Sequence, residues 1–305
     1  MGFTSRFEGR VYTIAGGPLI IPLNTTPYFE LFPTASITFQ KSDDHAFSLN
    51  YGRRISRPYY NQLNPFRQYL NPNAYFEGNP SLQPSFTNSI KLSHIYKGFP
   101  IISLSYDHTT NWIGDIGSDN NGNQVLTFQN FRNKSNYELS TLSAFYPFKW
   151  LENTNMFTLW HIMVNSASPQ TQVNAKGWGA YFYTNNSISF NQAKTISGDV
   201  TFMYIFPSQD AIYRWKAMVS LDLGLKVAAT KKIQIALNAT DILKSRKYAI
   251  DMFVNQINQQ ALFRPDNSYK ISISYKFGNS KIKQDENQRR VEDDDRTKKK
   301  SGMGM

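Results

Sequence analysis

From Tyr269 to Phe277 the chain reads Tyr-Lys-Ile-Ser-Ile-Ser-Tyr-Lys-Phe, with an apolar or aromatic residue at every second position and Lys or Ser between. A β-strand sends alternate side chains to opposite faces, so this segment has one greasy face and one wet face. The same alternation recurs upstream. Ala35, Ile37 and Phe39 oppose Ser36, Thr38 and Gln40; Phe47, Leu49 and Tyr51 oppose Ser48 and Asn50; Ile102, Leu104 and Tyr106 oppose Ser103, Ser105 and Asp107. Leu221, Leu223, Leu225 and Val227 oppose Ser220, Asp222 and Lys226, while Ile233, Ile235 and Leu237 oppose Lys232, Gln234 and Asn238. No comparable stretch follows the helical period.

Strand length separates the architectures this pattern allows. Strands of globular sheets run to about 5–6 residues, whereas a tilted strand needs about 9–11 to cross the hydrocarbon of a membrane. Long alternating runs such as 215–227 therefore predict an all-β, antiparallel, up-and-down transmembrane β-barrel. About twelve strands are expected, near 3–15, 30–41, 45–56, 85–97, 99–112, 125–147, 154–168, 176–191, 194–207, 210–228, 230–242 and 262–277. Short polar links (Lys41–Asp44, Tyr96–Pro100, Asn191–Lys194, Ala228–Lys231) alternate with long Gly/Pro/Asn-rich ones (Gly16–Pro27, Arg57–Pro84, Gly114–Gln124, Ser166–Lys176, Lys244–Gln260). Only the link near Pro207–Asp210 breaks the rule. Short turns at one end and long loops at the other is how outer-membrane barrels are built. Two alternatives stay open: a secreted, aromatic-rich β-sandwich that binds glycans, and a self-contained twelve-stranded barrel closed between Thr4–Ile14 and Ser268–Phe277.

Composition narrows the field. Mean hydropathy is −0.47, and nowhere do 18 consecutive apolar residues occur, which argues against a helical membrane protein. A barrel passes this test because only alternate residues meet lipid. Aromatic content of 15% suits the girdles at the two interfaces. Cysteine is absent, so no disulfide framework or thiolate metal site exists. The net charge of +11 is not gathered in one block. The stretch after Gly278 carries eight basic and six acidic side chains, so it contributes only +2 of that charge. Nucleic acid is therefore not an expected partner. Residues 1–278 are read as a partial barrel, and 279–305 as a charged, disordered periplasmic tail. The first six residues show no basic region followed by an apolar one, so the chain is expected to begin inside a barrel.

Candidate chemistry is sparse. His45, His94, His108 and His161 lack ligand spacing, although His94 and His108 are placed on adjacent strands. Asp115 and Asp119 in a Gly-containing loop are unspecific Ca²⁺ ligands at best. There is no nucleophile elbow and no phosphate-cradling glycine pattern. Neither catalysis, a cofactor nor a metal is expected. The polar positions Ser103, Ser105, Asp107, Asp222, Lys226, Ser272 and Ser274 are expected to line a wet lumen, with Leu221 and Leu223 toward lipid. On that reading a lysine at Ser220 costs little.

One loop is distinctive. Tyr51-Gly52-Arg53-Arg54-Ile55-Ser56-Arg57-Pro58 is followed by Leu63-Asn64-Pro65-Phe66 and then Gly78-Asn79-Pro80-Ser81-Leu82-Gln83-Pro84. Further marks are Leu31-Phe32-Pro33, Asn238-Ala239-Thr240-Asp241-Ile242-Leu243, and Arg264 with Tyr275-Lys276-Phe277-Gly278. In this order the set resembles the outer-membrane β-barrel family related to TonB-dependent receptors. The resemblance implies a 22-stranded barrel plugged by an N-terminal domain, with this chain supplying the C-terminal half. It implies outer-membrane lipid, an unidentified nutrient and a TonB-type energy-coupling protein as partners. Arg57, Pro58, Asn64, Pro65, Phe66, Gly78, Asn79, Pro80 and Pro84 become an extracellular signature loop. Its prolines pin φ and remove donors, so the loop is expected to be stiff. Its aromatics (Tyr59, Tyr60, Phe66, Tyr69, Tyr75, Phe76) either stack on a ligand or, the preferred reading, pack the loop on itself or sit at the outer interface.

Overall fold

A computed structural model describes residues 12–14, 17–19, 30–166, 175–210, 213–254 and 257–277. Two short strands, β1 (Tyr12–Ile14) and β2 (Gly17–Leu19), pair with each other. The remaining strands are β3 (Thr34–Gln40), β4 (His45–Ser56), β5 (Gln68–Asn71), β6 (Ala74–Phe76), β7 (Ser85–Tyr96), β8 (Phe99–Asn120), β9 (Asn123–Phe148), β10 (Leu151–Asn165), β11 (Ala175–Ser189), β12 (Ile196–Ile205), β13 (Ser208–Asp210), β14 (Tyr213–Trp215), β15 (Met218–Ala228), β16 (Ile233–Thr240), β17 (Tyr248–Val254), β18 (Ile257–Phe263) and β19 (Ser268–Tyr275). One four-residue helix, α1 (Tyr60–Leu63), lies between β4 and β5.

The main sheet has thirteen strands, eleven of them in one antiparallel row: β19-β16-β15-β12-β11-β10-β9-β8-β7-β4-β3. Neighbours in space follow one another in sequence, as an up-and-down meander requires. Short turns close one end and long connections leave from the other, as the spacing of polar links predicts. Several strands exceed what a membrane needs: β8 has 22 residues and β9 has 26. The row is open, since β3 pairs only with β4, and β19 only with β16, among the described residues. Self-closure with the Thr4–Ile14 segment is not formed among the described residues; of that segment only 12–14 lies within them, and it pairs with β2. Nor do the described residues form a sandwich. Ile37, Leu104, Ile271 and Ile273 are 67%, 52%, 72% and 72% exposed, so no second sheet covers the apolar face. The opposite face is stitched by cross-strand polar pairs: Ser93 with Ser103 (2.9 Å), Ser89 with Asp107, Thr87 with Thr109 (2.8 Å) and Asn185 with Thr201 (2.7 Å).

Several segments depart from the sequence reading, and short strands also lie within two other long links, β2 in Gly16–Pro27 and β5 and β6 in Arg57–Pro84. The Gly114–Gln124 stretch is not a loop: β8 and β9 run on to a two-residue tip. Asn121 and Gly122 have φ of +54° and +83° there, the left-handed pair that a tight hairpin turn demands. Lys244–Gln260 contains β17 and the start of β18, which join β13 and β14 in a separate four-stranded sheet. The single strand expected over 210–228 is two, because β14 pairs with β17 while β15 pairs with β12 and β16. The strand expected over 262–277 is likewise β18 and β19, joined by an irregular link.

Candidate functional site

The alternation of β7 to β10 puts polar side chains on one face, where they open a cleft of about 820 Å³. Its walls include Arg54, Asp107, Lys134, Glu138, Trp112 and Trp160. Strict alternation from Thr109 would turn Trp112 away from this cleft. Asn111, with φ of +53°, breaks the alternation, and both Thr109 and Trp112 line the cleft. Asparagine tolerates that conformation better than most residues. The two indoles are seated on glycines: a Cβ at Gly179 would collide with the Trp160 ring, and one at Gly114 would lie 2.5 Å from the Trp112 ring.

Trp112 belongs to a small apolar cluster with Phe131, Val164, Ile116 and Ile162, in which Phe131 and Val164 are each only 1% exposed. The Lys134 ammonium stands 4.5 Å from the Trp112 ring centre and 2.8 Å from an Asp210 carboxylate oxygen. That pair ties β9 to β13. A second tie joins β8 to β14, where the Tyr213 hydroxyl donates to Asp115 at 2.8 Å. Burial pushes the Asp115 carboxyl above its usual value, partly offset by that hydrogen bond. Burial, and then the charge of Asp115, push the Tyr213 hydroxyl up strongly. A smaller recess of about 260 Å³, with Trp215, Lys216, Lys247 and Tyr248 in its walls, shares Trp160 and Ile162 with the main cleft.

Ser103, Ser105 and Asp107 lie on the face that carries the cleft, and Asp107 is in its wall. Lys226 and Ser272 align across β16 on one face, through Ala236; Ser274 follows two positions along β19. Asp222 is engaged elsewhere. It accepts from Ser220 (2.9 Å), from the Asp241 amide (2.7 Å) and from Arg246 (3.4 Å). Ser220 is 2% exposed within this group, so a lysine there is not cheap, contrary to the sequence reading.

The signature loop works as a clasp. Asn64 accepts the Phe66 amide through its side chain (3.2 Å) and the Gly78 amide through its carbonyl (2.9 Å). Asn79 donates its amide to the Gln62 carbonyl (2.6 Å) and its side chain to the Phe128 carbonyl (3.0 Å), pinning the loop to β9. A Cβ at Gly78 would collide with Asn64, so the glycine is sterically required. None of Arg57, Pro58, Asn64, Pro65, Phe66, Gly78, Asn79, Pro80 and Pro84 lines the cleft; Tyr59 and Gln62 do. Tyr75 is buried beneath Arg67 and Tyr69, while Tyr59, Tyr60, Phe66 and Tyr69 stay exposed.

His94 meets His45 at 3.0 Å rather than His108, which bonds to Ser135. Asp119 accepts from the Gly122 amide, away from Asp115, so the two do not form a cation site. Among the described residues no group of three potential metal ligands exists. Trp112, Lys134, Glu138 and Trp160 were not legible as site residues, because no spacing rule marks residues gathered from separate strands.

The outer membrane protein beta-barrel family model matches residues 21–275. The chain belongs to that family. Among solved structures, a variant of the ferric enterobactin receptor from Pseudomonas aeruginosa in complex with enterobactin is similar at 12% identity and a TM-score of 0.56. The match covers 85% of this chain and 44% of that one. The siderophore receptor PirA from Pseudomonas aeruginosa is similar at 13% identity and a TM-score of 0.55, over 82% of this chain and 43% of that one. Such identities establish likeness of fold. The chain spans about two fifths of the length of these receptors. No curated protein matches it. As an outer-membrane barrel protein, it turns the exposed Leu and Ile of its apolar face to lipid.

Proposed function

We propose that this chain forms the C-terminal barrel portion of a TonB-dependent-receptor-like protein that binds a scarce nutrient at the cell surface and passes it inward. The cleft carries this reading. It is a polar, tryptophan-bearing recess on the face away from lipid, at the long-loop end where a ligand arrives from outside. Trp112 and Trp160 offer flat apolar surface, and Arg54, Lys134, Asp107 and Glu138 offer directional contacts of both signs. Ser103, Ser105, Asp107, Asp222, Lys226, Ser272 and Ser274 then border the wet path, and the clasped signature loop supports the rim. In the whole protein a TonB-type partner supplies energy from the inner membrane. The chain binds and passes its ligand without transforming it.

The similarity to siderophore receptors makes ferric siderophores the first ligands to try. The test is growth of a deletion strain under iron limitation, with single ferric siderophores as the iron source. Loss of growth on one of them, restored by the intact gene, supports uptake. Restoration by a Trp112→Ala, Lys134→Ala variant should fall about thirtyfold in uptake rate, as expected when two contacts worth ~1 kcal/mol each are removed. Undiminished growth on every siderophore and on other scarce nutrients overturns the reading.

A further inference from the structure

At the end of the main sheet opposite the long connections every short turn carries a lysine: Lys41, Lys97, Lys149, Lys194 and Lys231. All five are exposed, and among the described residues none makes an ion pair. The five ion pairs among the described residues (Arg53–Glu30, Arg67–Glu77, Lys134–Asp210, Lys216–Asp251 and Arg246–Asp222) all involve the long connections or the strand ends leading into them. The ion pairs are thus gathered toward the long-connection end of the barrel, while these turn lysines stand at the other, with Asp43 and Asp44 the acidic residues in these turns. In barrels of this kind the short-turn end faces the periplasm, at the level of inner-leaflet headgroups.

One corner of that rim departs from its surroundings. At this height the apolar face elsewhere shows Leu49, Leu104, Leu225 and Leu237. On β10, however, Asn153 and Asn155 take the alternate positions between Leu151 and Phe157, and they face Asn186 and Thr184 of β11. Asn153 donates to Asn186 (2.7 Å) and to Thr184 (3.3 Å), and Asn155 donates to Asn153 and to Ser143 (3.4 Å). Such a ladder is costly against hydrocarbon and well placed against phosphate and ester oxygens. The turns holding Lys149 and Lys194 flank it, joined by the Ser189 amide donating to the Trp150 carbonyl at 2.7 Å. Beside it on the same face runs an apolar groove of about 440 Å³, from Phe190 at the rim along Ile188, Val200, Leu225, Leu223 and Ile271 toward the bilayer centre. Gly198 forms its floor beneath the Phe190 ring.

We propose that this corner is a binding site for an anionic phospholipid of the inner leaflet, its phosphate between Lys149 and Lys194, its glycerol region on the Asn153–Asn186 ladder and one acyl chain in the groove. The three features, exposed cations, polar donors and an apolar channel, follow one another from the rim inward as the parts of such a lipid do. A soluble acidic protein would use the cations but leave the groove unexplained. The inference rests on the outer-membrane location and does not depend on the nutrient reading.

The test uses the full chain in mixed micelles doped with brominated phosphatidylglycerol or brominated phosphatidylcholine, reading tryptophan quenching. Trp150 lies in the turn beside Lys149, and a Trp150→Phe variant identifies its share of the signal. Phosphatidylglycerol is expected to quench at several-fold lower mole fraction, with the preference shrinking as salt is added. Replacing Lys149 and Lys194 by glutamine should weaken phosphatidylglycerol by about five-fold per lysine, while arginine at both positions preserves it. A Lys244→Gln, Lys247→Gln variant at the opposite end should match wild type. Equal quenching by the two lipids overturns the proposal. So does loss of preference in the arginine variant, full competition by inorganic phosphate, or capture of an acidic soluble protein without lipid preference.

Discussion

The Tyr213 hydroxyl donates a 2.8 Å hydrogen bond to the Asp115 carboxylate, joining the tip region of the β8–β9 hairpin to a strand almost a hundred residues later. Asp115 lies well beyond the short-turn end of β8, past the 9–11 residues or so that cross the hydrocarbon. Its carboxyl is held above the ordinary value, first by burial, so the folded state favours the protonated form more than the unfolded state does. The sign follows: the contribution is fully present below the unfolded value near 3.8 and fades as pH rises through the higher folded value. Acidification from neutral toward pH 4 should therefore tighten the docking of β14 on β8. Hydrogen exchange of the β14 and β17 amides, compared across that range after correction for intrinsic rates, should show rising protection. Asp115→Asn keeps an acceptor for Tyr213 and should abolish the pH dependence.

Lys134 and Asp210 form the second tie between the hairpin and the overlying sheet, and both are half-buried or more. Lys134→Met keeps much of the side chain's length over the Trp112 ring but leaves Asp210 without its cation. A loss of about 1–3 kcal/mol in local opening of β13 is expected, as for a buried acceptor that loses its partner. Limited proteolysis across the 206–217 segment should be accordingly faster. Unchanged cleavage would mean that β13 is held by its contact with β11 instead.

The meander was legible because its cause is local. Alternation over β19 or β8 is written in consecutive residues, and the lengths of the links separate the two barrel ends. Failures came where pairing is non-local. Nothing near Gly114 or Gly117 says that β8 continues, since the cause lies in Phe131, Val164 and the facing half of β9. The four-stranded outer sheet likewise needs β14 and β17 to meet across most of β15 and β16. The clasp at Asn64, Gly78 and Asn79 was visible as a signature, but its role was not, because its partners Gln62 and Phe128 are set by the fold. The cleft tryptophans are ordinary strand aromatics in sequence; Trp160 reaches the wall by the alternation of β10, and Trp112 only through the left-handed Asn111.

Asp241 shows how a motif residue serves structure. It has φ of +50°, is 2% exposed, and its carboxylate accepts the amides of Ser245 and Arg246 at 3.0 Å each. It therefore caps the turn that leads from β16 toward β17 and sets Arg246 against Asp222 and Ser220. Asp241→Ala removes these acceptors and places a poorly suited residue in the left-handed region, for a loss of about 2–4 kcal/mol. Asp241→Asn tolerates the conformation and keeps one acceptor oxygen, so it should lose less than half as much. Urea midpoints of the refolded chain, with slopes checked for constancy, measure both.

Facing can be tested with two adjacent residues of β8. Leu104 is 52% exposed on the apolar face, flanked across the sheet by Leu92 and Leu139. Ser105 points the other way and pairs with Lys91 and Glu138. A lysine at Leu104 must hold an ammonium in hydrocarbon or bend it to an interface, at a cost of about 2–4 kcal/mol near the midplane. A lysine at Ser105 meets water and the Glu138 carboxylate, so its repulsion by Lys91 is largely offset and the change should stay within about 1 kcal/mol. Folding into lipid vesicles, followed by denaturant titration of the full chain and the two variants, gives both numbers under one condition. Equal losses would put both positions in the same environment and remove the basis for calling one face of the sheet lipid-facing.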